Sequence, residues 1–244
     1  MILEVCAGSL SSALAARAGG AHRIELCSNL SEGGTTPSPG IIKEAIRLLD
    51  IPVFVLIRPR AGDFLYSDAE FDAMKEDILF CKERRAKGIV TGLLKTDGTI
   101  DINRTAELVR LARPMQVTFH RAFDMTRDPL QTMEDIISLG IDRILTSGQA
   151  NTALEGADLI AALIRRAAGR IIIMPGGGIN EDNVANLIQS TGATEIHASL
   201  GSQIQSKMQF RNMDASIGKS GQNAYGWIET DPERVRKVVK KMYE

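Results

Sequence analysis

A recurring joint constrains this chain more than any single motif. Gly20-Ala-His-Arg-Ile24, Gly140-Ile-Asp-Arg-Ile144 and Gly192-Ala-Thr-Glu-Ile196 share one form: glycine, a small or apolar residue, two polar residues, then an apolar run. Lys87-Gly88-Ile89 is a weaker copy. Glycine past a helix C-terminus supplies the left-handed turn that releases the chain into a strand. Each copy therefore reads as the joint between a helix and the next strand, and the chain as a series of like αβ units. Eight such units without a break in composition predict an α/β fold, a single (β/α)8 TIM-type barrel, with a doubly wound open sheet as the alternative. The length of 244 residues fits one barrel of roughly 250, so residues 1–244 are read as a single domain.

Strands are expected at Ile2–Ala7, Arg23–Cys27, Val53–Arg58, Gly88–Leu94, Met115–His120, Arg143–Thr146, Ile171–Pro175 and Thr194–Ser199. Helices follow each of the first seven. The first runs from about Ser9 to Ala18. The second covers about Ser38–Leu49, with Thr36 as cap and Pro37 at its first position. Ser67-Asp-Ala-Glu70 is a capping box opening a helix to about Ala86. Asp101 caps a helix to Ala112, Asp128-Pro129 opens one ending at Gly140, and Thr152–Ala168 forms the sixth. Asn180 reads as the cap of a helix over Glu181–Ser190. After the eighth strand the rhythm breaks. Gly201–Thr230 is expected to be a long loop over the barrel mouth or in a subunit contact, before Asp231-Pro232 opens a last helix to about Tyr243.

Side chains alternate faces along a strand, and in a barrel one set points inward. If Leu3, Val5, Ile24, Leu26, Val117, Phe119, Ile196 and Ala198 pack on helices, then Glu4, Cys6, Glu25, Cys27, Gln116, Thr118, His120, Glu195, His197 and Ser199 face the interior. Arg58 shares parity with Phe54 and Leu56. Buried carboxylates need partners, so Glu4, Glu25 and Glu195 require Arg58, the histidines or a ligand. Several of these groups lie near strand C-termini, where barrel active sites sit.

Three candidate chemistries follow. Ile171-Ile-Ile-Met-Pro-Gly-Gly-Gly-Ile179 couples a buried strand to a glycine turn, making Gly176, Gly177 and Gly178 a candidate anion site, with a tight turn as the structural alternative. Arg58 and Arg60 suit a carboxylate or phosphate, unless Asp63 takes one of them. With Glu25 and His120 as an acid/base pair, these residues describe an enzyme for a small anionic or phosphorylated metabolite. Cys6 and Cys27, at the ends of neighbouring strands, offer two thiolates to a soft ion such as Cu(I). Cys81, within a helix, reads as packing.

Composition narrows the partners. A net charge of −1 argues against nucleic acid. No apolar run approaches the ~18 residues of a membrane span. The N-terminus reads as a strand, not a signal peptide. Three cysteines give no disulfide framework, and the expectation is a cytoplasmic protein with reduced thiols.

Seven stretches together resemble the CutC family of copper homeostasis proteins. They are Glu4-Val-Cys6, Arg23-Ile-Glu-Leu-Cys27, Gly33-Gly-Thr-Thr-Pro-Ser38, Ile57-Arg-Pro-Arg-Ala-Gly-Asp-Phe64, Thr118-Phe-His-Arg-Ala-Phe-Asp124, Arg143-Ile-Leu-Thr-Ser-Gly148 and Pro175-Gly-Gly-Gly-Ile179. The resemblance runs from residue 1 to about Gly201. It implies a (β/α)8 barrel, a cytoplasmic homodimer or homotetramer, and an association with copper tolerance. It also implies copper(I) binding at Cys6 and Cys27. Two thiolates do not account for two arginines, a mouth histidine and a triple-glycine turn, so the enzyme reading stays beside it.

Overall fold

Short β-branched runs alternating with amphipathic stretches fold here into a barrel. The computed structural model describes residues 1–212 and 225–244. The strands are β1 (Ile2–Ala7), β2 (Arg23–Leu26), β3 (Val53–Leu56), β4 (Gly88–Thr91), β5 (Gln116–Phe119), β6 (Arg143–Thr146), β7 (Ile172–Pro175) and β8 (Glu195–Ala198). All are parallel, in the order 7-6-5-4-3-2-1-8. A bridge between Gly176 and His197 draws β7 towards β8 across the remaining seam. Gly176 is needed there: a Cβ would meet Leu145 at 2.5 Å and His197 at 3.2 Å.

The helices are α1 (Leu10–Ala18), α2 (Pro39–Leu48), α3 (Asp68–Glu83), α4 (Ile102–Ala112), α5 (Pro129–Ser138), α6 (Ala157–Ala167), α7 (Val184–Thr191) and α8 (Pro232–Lys241). Ser9, Asp101, Asp128 and Asp231 cap α1, α4, α5 and α8 through their side chains, and Ser67 with Glu70 closes the capping box of α3. Leu3, Val5, Ile24, Leu26, Val55, Ile89, Val117, Ile144 and Ile196 point from the strands to the helix layer and are fully buried. Each such side chain contributes roughly 1.5–3 kcal/mol of transfer free energy. None of the described helices is long and apolar enough to cross a membrane.

The structure corrects four boundaries. Helix α2 is capped by Ser38, whose hydroxyl accepts the Ile41 N–H, with Pro39 at its first turn. Thr36 instead ties the loop to β3, its hydroxyl accepting the Arg58 N–H at 2.9 Å. Helix α6 begins at Ala157 rather than Thr152, because Thr152 and Glu155 bond each other in a separate turn. Helix α7 begins at Val184, not Glu181. Asn180 does not cap it: the Asn180 side chain accepts the Asp182 N–H, and Asn183 accepts the Asn180 N–H. The N-terminus of α7 is therefore separated from the glycine turn by residues 179–183. Finally, the expected loop after β8 contains an antiparallel hairpin, β9 (Gly201–Gln205) with β10 (Gly226–Thr230). Residues 213–224 of that stretch lie outside the described residues.

Candidate functional site

The barrel interior is built in layers, and the lowest is ionic. The register sets Glu4 beside Arg23 on β2 and His197 on β8. Arg23 donates to Glu4 and to Glu195, each at 2.5 Å. Arg143 reaches Glu195 at 3.2 Å and donates to Gln116 and Thr118. Both guanidiniums lie over the Phe54 ring, at 4.9 and 5.0 Å. Two buried carboxylates thus meet two buried cations in direct hydrogen bonds, the condition under which buried charge is tolerated. The inward parity of Glu4, Glu25, Glu195 and His197 is as expected. Arg23 and Arg143 as their partners were not foreseen. They sit in the two joints of the form Gly-x-x-Arg-Ile, where arginine looks like surface decoration. Their parity with Glu25 and Leu145 was the available signal.

Above this floor stands His197. Its Nδ1 lies 2.8 Å from Glu4, and its Nε2 lies 3.6 Å from Glu25. Burial raises the Glu4 carboxyl, but Arg23 and His197 outweigh it and hold the group down at about 2. Burial likewise works against a charged His197, yet Glu25 and Glu4 together raise its pKa. Glu25 is raised chiefly by burial, with His197 pulling the other way.

Cys6 and Cys27 complete this layer, their Sγ atoms 3.5 Å apart and both buried. The hydrogen bond to Cys27, burial and the Glu25 charge push the Cys6 thiol well up. One ligand atom each from Cys6, Glu25 and His197 lies within 4.8 Å of the others. Cys6 lines the mouth cavity, and Cys27 lies behind it against Leu56 and Gly34.

That cavity, of about 490 Å³, opens at the strand C-termini. Cys6, Glu25, Arg58, His120, Gly177 and Gly178 all border it; Arg60 and Gly176 do not. Arg60 is spent on Asp63 and Glu70, at 2.9 and 2.6 Å, and on loop carbonyls. Gly177 and Gly178 hold φ of +114° and +71°, conformations that favour glycine, and Gly176 serves the seam. The structure pairs Glu25 with His197 rather than with His120. His120 instead packs on Phe64, ring centroids 4.9 Å apart, and its Nδ1 accepts the Ala122 N–H at 3.1 Å. Burial, and next the Arg58 charge, lower its pKa to about 3. Its Nε2 and the Arg58 Nε are buried without a hydrogen-bond partner. Each such orphan costs about 1–3 kcal/mol. On the far wall, Asp124 takes hydrogen bonds from Arg121, Thr146 and Ser147.

Comparison with known proteins places this geometry among relatives. The CutC family model matches residues 1–202. The family protein CutC of Chromobacterium violaceum is 50% identical over 235 residues, which is 96% of this chain and 95% of that protein. The human copper homeostasis protein cutC homolog is 50% identical over 236 residues, covering 96% of this chain and 86% of its own. Among solved structures, the putative copper homeostasis protein CutC from Streptococcus agalactiae superposes with a TM-score of 0.78 at 37% identity, over 82% of this chain and 98% of that one. A phosphoribosylanthranilate isomerase from Pyrococcus furiosus, at 15% identity and a TM-score of 0.57 over 100% of this chain and 98% of that one, shares the barrel fold.

Proposed function

The chain belongs to the CutC family, and from that premise we propose that it binds Cu(I) through Cys6 and Cys27 at the barrel mouth, as a cytoplasmic homo-oligomer serving copper homeostasis. The observation that carries this reading is the 3.5 Å approach of the two Sγ atoms from neighbouring strands. Thiolate and imidazole are the donors a soft monovalent ion prefers, and a ring nitrogen of His197, within 4.8 Å of the Cys6 Sγ, is the candidate for a third. Glu25 is a hard oxygen donor, and its role here is to accept a proton or hold a charge near the ion. Copper is cargo in this reading, reaching Cys6 from the cavity.

The raised thiol pKa sets the pH dependence. Each thiol must lose its proton before it can ligate, so binding releases protons and affinity rises with pH. Competition against a Cu(I) chelator, run anaerobically on the oligomer whose mass light scattering gives, is the test. One Cu(I) per chain, tighter at higher pH and lost in Cys6→Ser/Cys27→Ser, is the expected result. Equal affinity in that double variant would sink the assignment.

A further inference from the structure

Glu25 has no ligand role beside a pair of thiolates, yet the strand register places it in a second set of donors. Cys6 on β1 stands opposite Glu25 on β2. Glu4, two residues before Cys6 and on the same face of β1, stands opposite His197 on β8. Cys6, Glu25 and His197 therefore converge from three adjacent strands. One donor atom from each lies within 4.8 Å of the others, and all three residues border the cavity. Cys27 stands outside this set, behind Cys6.

Charge singles the cluster out. Glu4 and Glu195 both meet Arg23. Among the described residues no arginine or lysine forms an ion pair with Glu25. Its carboxylate is buried beside the Cys6 thiol and lies 3.6 Å from the His197 Nε2. A thiolate and a carboxylate side by side in a buried layer repel each other, and a dication neutralises both. The imidazole is already oriented for such an ion. Its Nδ1 lies 2.8 Å from Glu4, which Arg23 holds at 2.5 Å. The ring proton thus faces Glu4, and Nε2 turns its lone pair towards Glu25. A carboxylate behind the ring is the usual support of a histidine that binds metal.

We propose that Cys6, Glu25 and His197 bind a divalent ion of borderline softness, Zn(II) by preference, with its fourth position open to the cavity. Sulfur, oxygen and nitrogen together are donors that zinc takes and that magnesium and calcium do not. Bonds of about 2.0–2.3 Å in a tetrahedron set the donors roughly 3.3–3.7 Å apart. The His197–Glu25 pair meets that spacing at 3.6 Å, and side-chain rotation draws in the remaining donor. Three protein donors with a cavity of about 490 Å³ on the fourth side make a site that takes water or a small ligand at the metal, not a closed structural one. This inference does not rest on the copper reading. Cys27 is a ligand only there and Glu25 only here, while the two ions compete for Cys6 and His197.

Cobalt(II) is the probe, because it occupies zinc sites and absorbs visibly in a tetrahedral field, with a near-ultraviolet band when a thiolate binds it. Metal-stripped, reduced protein is titrated anaerobically with Co(II) and then with Zn(II). We expect one Co(II) per chain showing both features, its displacement by one Zn(II), and a shift of the visible bands on adding azide. Glu25→Gln, shown to be folded by far-UV circular dichroism, is expected to bind Co(II) at least about tenfold more weakly. Cys27→Ser is expected to bind Co(II) as wild type does. Cu(I) retained by that variant would count against the copper pair alone. X-ray absorption of the zinc-loaded wild type, which depends on no variant, is expected to show one sulfur with nitrogen and oxygen neighbours. Two sulfurs, unweakened binding in Glu25→Gln or lost binding in Cys27→Ser each overturns the ligand set. Absence of the cobalt bands overturns the site, and bands that ignore azide overturn its open position.

Discussion

Arg23 holds the interior of this barrel at electrostatic balance. It bridges Glu4 and Glu195, shares Glu195 with Arg143, and lies over Phe54. Remove its charge and Glu4 loses the partner most responsible for keeping it ionised. A buried ion pair adds little over a well-packed apolar pair, but breaking one from one side is costly. Arg23→Met, similar in length and without charge, is therefore expected to lose about 3–5 kcal/mol of stability in urea unfolding. Adding Glu4→Gln should restore part of that loss, since one uncompensated charge is then gone. A single variant as stable as wild type would mean that water or a shifted protonation compensates the floor. The same residue-level logic separates Arg23 from Arg58, one neutralised by carboxylates and the other held by loop carbonyls and the Phe64 ring.

At the scale of elements, the loop joining β6 to α6 holds the glycine with the least room for a side chain among the described residues. A Cβ on Gly156 would lie 2.0 Å from the Ser147 carbonyl oxygen and 2.8 Å from the Gly148 Cα. Those are backbone atoms, and no side-chain rotation relieves them. The same loop places the Ser147 N–H and hydroxyl on Asp124, beside the cavity. Gly156→Ala is expected to cost at least about 2 kcal/mol and to loosen the Asp124 wall. Gly40→Ala, in α2 with nothing within 4 Å, should instead gain a few tenths of a kcal/mol. Equal stabilities in the two variants, by chemical denaturation, would refute this account of the loop. The elements also show what could be read from sequence. Alternation on β1, β2, β5 and β8 places Glu4, Cys6, Glu25, Thr118, Glu195 and His197 inside because one helix-facing apolar set leaves no other solution. Capping is less legible. Two prolines flank Ser38, and only the Thr36 bond to β3 decides which begins the helix. Asn180 and Asn183 are equally good caps by type, but the Asn183 side chain accepts the Asn180 N–H and the Asn180 side chain accepts the Asp182 N–H, which shifts the start of α7. Arg23 and Arg143 stayed hidden because an arginine's usual place is the surface, and only the closed barrel brings Glu195 within reach of both.

For the molecule as a whole, the question is whether the hairpin after β8 belongs to the barrel or merely hangs from it. Much of it is exposed: Trp227 is 46% and Ile228 60% accessible. Its base is nonetheless anchored from three sides. The Thr230 N–H donates to the Ser12 hydroxyl of α1 at 3.1 Å, and the Asp231 N–H donates to the Leu200 carbonyl at 2.9 Å. Arg234 of α8 donates to the Gly201 carbonyl at 2.7 Å while pairing with Glu181 at 3.0 Å. Helix α8 in turn packs Val235 on Gly19, where a Cβ would come within 2.5 Å. The strand that closes the hairpin thus leads straight into the helix that seals the barrel, and separating them would expose Val235, Val238 and Met242 together. From that continuity we propose that the described residues form one domain. Trp227 is the sole tryptophan, so its fluorescence reports the hairpin while far-UV circular dichroism reports the barrel. The two urea transitions are expected to coincide within error, as cooperative units require. A fluorescence midpoint well below the dichroism midpoint would instead mark the hairpin as an independently melting appendage, and the anchoring at Thr230 and Arg234 as too weak to couple it.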